Sequence, residues 1–87
     1  MSGTAILTFP TAFPIKVMGR HDSELRALTQ AIVERHAGSL GEESVRTRSS
    51  SDGNFLAITY IVLAQSQQQL DAIYLELTAC ESVLIAL

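Results

Sequence analysis

The dipeptide Asp52-Gly53 constrains the fold of this chain more than any other feature, because it separates two stretches with strand character. Residues 44–50 are polar and tolerate an extended backbone, and residues 55–64 are rich in β-branched and aromatic side chains. An Asp-Gly pair between two such stretches is typical of a β-hairpin. We therefore predict a type I′ hairpin with these two residues at the centre of its turn.

A symmetric turn at this dipeptide also predicts which residues face each other across the hairpin. Residues that are paired across two antiparallel strands point to the same side of the sheet. The predicted pairs are Ser51 with Asn54, Ser50 with Phe55, Arg48 with Ala57, Thr47 with Ile58, Arg46 with Thr59 and Val45 with Tyr60.

Two further strands and two helices follow from the spacing of apolar residues. Residues 13–19 alternate as a strand does, and residues 82–87 form a second, shorter apolar run. Asp22 is the predicted N-cap of a first helix that ends before Gly38, and Ser66 and Gln69 form an S-x-x-Q capping box for a second. The predicted apolar stripes are Leu25, Leu28, Ile32, Val33 and His36 in the first helix, and Leu70, Ile73, Tyr74, Leu77 and Cys80 in the second.

The order β-α-β-β-α-β, with short links, predicts an α+β ferredoxin-like fold. Right-handed connections place both helices on one face of a four-stranded antiparallel sheet with strand order 4-1-3-2. Residues 1–12, punctuated by Pro10, are predicted to form an N-terminal arm, and residues 13–87 a single domain.

The face of the sheet that the helices leave open is the predicted functional surface. Alternation along each strand assigns to it Lys16, Met18, Arg46, Arg48, Phe55, Ala57, Thr59, Ile61, Leu63, Leu84 and Ala86. An exposed apolar area of this kind marks an interaction site, so we expect a protein partner or self-association. Two alternatives stay open: the N-terminal arm folds across this face, or the register is shifted. Arg46 and Arg48 either bind an acidic group or protect an edge strand from unwanted pairing.

Several other partners and locations are disfavoured. A net charge of −3 opposes nucleic-acid binding, and the open face lacks the aromatic pairs with which RNA-binding RRM domains stack bases. No apolar run approaches the ~20 residues that a membrane span needs. The single Cys80 excludes an internal disulfide and fits a cytoplasmic location.

Residues suited to catalysis are sparse, and we predict no enzyme activity, no cofactor and no metal. The two histidines and one cysteine have no metal-ligand spacing. The loop Arg20, His21, Asp22 and Ser23 enters the first helix, where an anionic ligand would be favoured; ordinary capping is the alternative. Ser49 to Ser51 either bind phosphate or form a polar strand end. His36 lies in the last turn of its helix, where its imidazole is expected to interact favourably with the helix dipole.

The chain resembles the YbeD-like family of short bacterial proteins. The resemblance rests on Phe9-Pro10, residues 13–19 (FPIKVMG), residues 50–55 (SSDGNF), residues 69–77 (QLDAIYLEL) and residues 83–87 (VLIAL). It implies a ferredoxin-like fold similar to ACT regulatory domains, a role as a small regulator, and a link to lipoate metabolism. It implies no catalytic activity. An ACT-like sensor of a small anionic metabolite is therefore the alternative function.

Overall fold

A computed structural model describes residues 7–22 and 24–87. Its strands are β1 (Thr11–Arg20), β2 (Val45–Ser49), β3 (Phe55–Ala64) and β4 (Val83–Ala86). Its helices are α1 (Leu25–Ala37) and α2 (Gln67–Ala79), with a short 3₁₀ helix at Glu42–Ser44. The strands form one antiparallel sheet in the order β2-β3-β1-β4, which confirms the predicted ferredoxin-like arrangement.

The core lies between the sheet and the two helices. Strands β1 and β3 contribute alternate residues to it, and each helix contributes one stripe. The fully buried side chains include Ile15, Val17, Leu25, Val33, Ile58, Tyr60, Val62, Leu70, Ile73 and Leu77.

The stripe of helix α1 differs from the prediction at one position. Leu28 is 42% exposed, and Thr29 is buried in its place. Thr29 is tolerated there because its hydroxyl donates to the carbonyl oxygen of Leu25 at 2.8 Å and lies 2.6 Å from the hydroxyl of Tyr60. A buried polar group with such partners avoids the cost of desolvation without compensation.

The helix ends follow the predicted signals with one difference. Asp22 Oδ1 accepts hydrogen bonds from the backbone N–H groups of Glu24 and Leu25, at 2.8 and 2.9 Å, and so caps α1. Ser66 Oγ accepts from the Gln69 N–H at 3.1 Å, as half of a capping box requires. The Gln69 side chain accepts from the Gln65 N–H instead of closing the box.

The predicted register of the hairpin is confirmed along the length of β2, from Val45 opposite Tyr60 to Ser49 opposite Leu56. The predicted turn type is wrong. Only Gly53 has a positive φ, +78°, whereas a type I′ turn requires one at Asp52 as well. The Ser50 N–H donates to the carbonyl oxygen of Phe55 at 2.9 Å and closes a loop of four residues, 51–54, within which the Gly53 N–H donates to the carbonyl oxygen of Ser50. Lengthening a loop by one residue on each side leaves the pairing beyond it unchanged, which is why the register holds.

The first strand begins two residues before its predicted start. Strand β1 starts at Thr11 and so includes residues 11 and 12 of the predicted arm. Phe9 packs against the core, on the side of the sheet that carries the helices. This part of the arm therefore does not cross the open face. Residues 1–6 lie outside the described part of the chain.

Candidate functional site

The open face of the sheet is built by alternate residues of three strands. Strand β3 contributes Phe55, Ala57, Thr59, Ile61 and Leu63, because the intervening residues Leu56, Ile58, Tyr60 and Val62 point into the core. Lys16 and Met18 in β1 lie opposite Thr59 and Ala57, and Arg46 and Arg48 in β2 lie opposite the same two residues from the other side. The structure thus places nine of the predicted residues together. Leu63, the most exposed of the apolar ones, has 58% of its surface accessible.

The last strand departs from simple alternation. Gly19 is paired with Val83 and Met18 with Ile85, so Leu84 is an extra residue in a bulge. Beyond the bulge the alternation is reversed: Ala86 is paired with Val17 and packs against the core. The predicted place of Ala86 on the open face is therefore wrong.

Ile85 takes the place predicted for Ala86. It shares a face with Met18, and 48% of its surface is exposed. Leu84 is exposed as predicted, at 55%. Leu87 exchanges two backbone hydrogen bonds with Lys16, at 2.9 and 2.7 Å, and so extends the apolar part of this face.

The bulge lies where the chain approaches Gly19 closely. A Cβ atom at this position would lie 2.3 Å from the carbonyl oxygen of Ser82 and 2.9 Å from Leu25 Cδ1. Strand β4 therefore enters the sheet against a residue that has no side chain. The alternation of residues along a strand does not predict this contact, because the contact joins residues far apart in the sequence.

Arg20 belongs to the open face and not only to the loop that leads into α1. It is the last residue of β1 and lies opposite Phe55, which assigns its side chain to the same face. With Lys16, Arg46 and Arg48 it forms what we call the basic side of the open face. The signal for this was the length of β1, which extends one residue beyond Gly19.

Two adjoining hollows lie on the basic side. One, of about 200 Å³, has an apolar floor of Met18, Phe55 and Ala57 and is bordered by Lys16 and Arg48. The other, of about 350 Å³, extends from Lys16 and Arg48 to Arg46 and Thr59. Each combines an apolar surface with cationic groups, which suits a ligand or a partner side chain of mixed character.

The serines before the hairpin turn are engaged within the loop. Ser50 Oγ donates to Asp52 Oδ1 at 2.7 Å and accepts from the Phe55 N–H at 3.0 Å. Hydrogen bonds from Ser50 and from the Asn54 N–H hold the pKa of the Asp52 carboxyl below its usual value. An anionic carboxylate at this position makes phosphate binding by Ser50 less favourable. This favours the interpretation of the serines as a polar strand end.

The loop that leads into α1 offers fewer free groups to an anion than its sequence predicts. The carboxylate of Asp22 already accepts from the first N–H groups of the helix. Arg20 lies on the sheet, and the His21 N–H donates to the Asn54 carbonyl oxygen at 2.9 Å. Ser23, the fourth residue of the predicted anion loop, lies outside the described residues.

Three titratable side chains meet in a contact between the two helices. His36 Nε2 lies 2.6 Å from Glu76 Oε1, and Arg35 forms a salt bridge with the same carboxylate. Hydrogen bonds from His36 and then Arg35 lower the pKa of Glu76. Cys80 is half-buried at the end of α2 and packs against the core. Across residues 7–22 and 24–87, no three His, Cys, Asp or Glu side chains are grouped as metal ligands would be.

Neither described helix has the length and apolar character that a membrane crossing requires.

Comparison with known proteins gives a family for the chain. Residues 4–87 match the family model described as "Protein of unknown function (DUF493)". A UPF0250 protein of Chromobacterium violaceum is 49% identical over 74 residues, which cover 84% of this chain and 82% of that protein. A UPF0250 protein of Leptothrix cholodnii is 42% identical over 86 residues, covering 95% of this chain and 91% of that protein.

A solved structure shares the fold. The C-terminal domain of the MgtC protein from Mycobacterium tuberculosis superposes with a TM-score of 0.60, covering 94% of this chain and 89% of that one, at 13% identity. At this identity the likeness concerns the fold alone. The family match, the relatives and the fold agree with the resemblance found in the sequence, and the chain belongs to the DUF493 family of small bacterial proteins, the UPF0250 or YbeD-like group.

Proposed function

We propose that this protein is a non-catalytic regulatory or protein-interaction domain that docks on its partner through the open face of the sheet. The observation that carries the proposal is the exposed apolar row on a face that no described helix covers. Antiparallel sheets with one solvated face normally present polar residues there. Here Ile61, Leu63 and Ile85 occupy that face instead.

Burial of these side chains would supply the driving force for docking. Removing apolar surface from water contributes about 25 cal/mol per Å². Leu63, Leu84 and Ile85 each keep about half of their surface accessible. A partner that covered all three would gain more binding free energy than one that covered a single exposed leucine. Single exposed leucines are common on protein surfaces, whereas a group of them is not.

The placement of the reactive groups supports a non-catalytic role. His36 is engaged with Glu76 on the helix side, and Cys80 lies at the end of α2. Neither belongs to the open face, where the described residues offer hydroxyl, guanidinium and ammonium groups without a paired base. A nucleophile and a base within hydrogen-bond reach are the minimum for covalent catalysis.

The proposal is tested with the variant Leu63→Glu and its matched control Leu75→Glu. Leu75 is 73% exposed on α2, on the opposite side of the molecule, so both variants add the same charge to an exposed leucine. A photo-crosslinking amino acid at Thr59 reports contacts of the open face in cells, and sedimentation velocity reports self-association.

We expect the Thr59 probe to capture one defined protein, or a second copy of this chain. Leu63→Glu should reduce this capture at least about tenfold, as expected when a charge enters a buried apolar contact. Leu75→Glu should leave it unchanged. A protein that is monomeric at every concentration, with no product from the Thr59 probe, would contradict the proposal.

A second candidate is a sensor of a small anionic metabolite. The hollow beside Lys16 and Arg48 favours it, since a carboxylate would meet the cations while an apolar part covered Met18 and Phe55. Thermal shift with a panel of carboxylates, lipoate among them, tests this, because a ligand that binds only the native state raises the unfolding temperature. No shift with any carboxylate would remove this candidate.

A further inference from the structure

The positive charges of this protein are concentrated on one face. Of its six Lys and Arg residues, four lie on the basic side of the open face, and only Arg26 and Arg35 lie elsewhere, in α1. The nine Asp and Glu residues all lie outside the four strands, in the helices and connecting segments. A molecule with a net charge of −3 therefore presents a positive sheet face and a negative remainder.

Within the part of the chain that the structure describes, the cations of the basic side form no salt bridge. The salt bridges within residues 7–22 and 24–87 join Arg35 and His36 to Glu76, on the other side of the molecule. Lys16, Arg46 and Arg48 are all exposed and are separated from one another by short side chains such as Ala57 and Thr59. Guanidinium groups displayed in this way suit carboxylates, which they bind with two parallel hydrogen bonds.

From this asymmetry we infer that the open face binds an acidic, partly apolar segment of a protein partner. Carboxylates of the segment lie against the basic side, and an apolar side chain enters the hollow above Met18, Phe55 and Ala57. This inference rests on the proposed docking function and names the chemistry of the partner. The field of the face also orients an acidic partner as it approaches, which raises the rate of association.

Two other occupants are less compatible with the same residues. A second copy could pack face to face about a two-fold axis that places β2 opposite β2. Arg46 and Arg48 would then face the same arginines of the other copy, and the like charges would repel. Single-stranded RNA is recognised by stacking of bases on aromatic rings, and Phe55 is the one aromatic residue that the described strands place on this face. Both occupants are outcomes of the test.

The test is a selection of random peptides displayed on phage against the immobilised full chain. We expect the selected peptides to be rich in Asp and Glu and to carry at least one apolar residue. The same selection against Arg46→Glu/Arg48→Glu should lose this preference. The matched control is Arg26→Glu, which alters an exposed arginine of α1 and should select the same peptides as the unmodified protein.

One selected peptide is then titrated at about 50 and 300 mM NaCl, where the screening length falls from above to below about 10 Å. Affinity should decrease at least about tenfold with salt and at least about tenfold in the double arginine variant, and by less than about twofold in Arg26→Glu. Titration with a poly-uridine RNA tests the RNA alternative, and sedimentation tests self-association.

The outcomes separate the inference from the proposed function. Neutral or basic peptides that bind wild type but not Leu63→Glu would overturn the inference and leave docking through this face standing. Peptides that bind equally to wild type, to Leu63→Glu and to the double arginine variant would contradict both. Poly-uridine binding that is tighter than any peptide, or a stable dimer that displaces the peptides, would overturn the acidic partner.

Discussion

The hydroxyl groups of Thr29 and Tyr60 lie 2.6 Å apart between helix α1 and strand β3, and both residues are fully buried. Thr29 donates its hydroxyl proton to the carbonyl oxygen of Leu25 at 2.8 Å, so the single hydroxyl proton of Tyr60 is shared between Thr29 Oγ1 and the more distant carbonyl oxygen of Arg26, at 3.3 Å. This polar contact joins helix α1 to strand β3 inside the core.

Removing the tyrosine hydroxyl should weaken the core without disrupting it. Tyr60→Phe keeps the ring and leaves Thr29 bonded to the Leu25 carbonyl oxygen. We expect a loss of about 0.5–1.5 kcal/mol in the free energy of unfolding, the usual net value of one hydrogen bond. Urea denaturation measures it. Tyr74→Phe is the control, because the described residues offer no hydrogen-bond partner to that hydroxyl, and an equal loss in both variants would contradict the role of the Thr29 contact.

The same tyrosine predicts a dependence of stability on alkaline pH. Burial raises the pKa of Tyr60 above 10.0, its value in a model compound, so the native state holds this proton after the unfolded state has lost it. Stability should therefore be constant with respect to this group below pH 10.0 and fall as the pH rises further. Thermal unfolding at increasing pH should show a shallower fall in Tyr60→Phe than in the unmodified protein. Identical curves would refute the assignment.

The contact of Glu76 with His36 and Arg35 predicts an effect at acidic pH. These hydrogen bonds lower the pKa of Glu76 below 4.5, its value in a model compound. The contribution of this carboxylate is present above that value and is lost as the pH falls through the lower pKa of the folded state. Glu76→Gln should reduce the acid dependence of the unfolding temperature, whereas Glu81→Gln, next to the chain turn before β4, should not. A carboxyl resonance of Glu76 that titrates at 4.5 or above in the folded protein would contradict this.

Gly53 in the hairpin loop and Gly19 in β1 should respond differently to an added methyl group. At Gly53 an added Cβ would meet nothing within 4 Å, but φ is +78°, so Gly53→Ala should cost about 1 kcal/mol through the backbone alone. Gly53→Asn should cost less, since asparagine tolerates a left-handed conformation. Chemical denaturation of both variants provides the comparison, and an alanine that is as stable as glycine would contradict the loop conformation.

At Gly19 the cost should be larger and have another cause. An added Cβ would lie 2.3 Å from the Ser82 carbonyl oxygen, so strand β4 must move for alanine to fit. We expect Gly19→Ala to lower the free energy of unfolding by at least about 1–3 kcal/mol, as overpacking does in a filled core. Amide exchange should accelerate in residues 83–86 before it does in β3. Uniform acceleration throughout the sheet would argue against a local cause.

Local patterns in the sequence determined most of this protein. The Asp52-Gly53 signal set the register of β2 and β3 even though the turn itself was of another type, because register depends on the centre of the loop and not on its length. Period-two and helical spacing determined the order of elements, and with it a sheet that has one face under two helices and one face without them. The exposed positions of Leu63 and the two arginines of β2 followed from that register.

Tertiary contacts decided the rest, because they join residues that no local period relates. Ser82 approaches Gly19 closely at the bulge, beyond which Ala86 points inward and Ile85 outward. The pairing of Arg20 with Phe55 moves a loop cation onto the sheet. The basic side of the open face is thus the joint result of alternation, which a sequence carries, and of strand length and close packing, which exist only once the chain is folded.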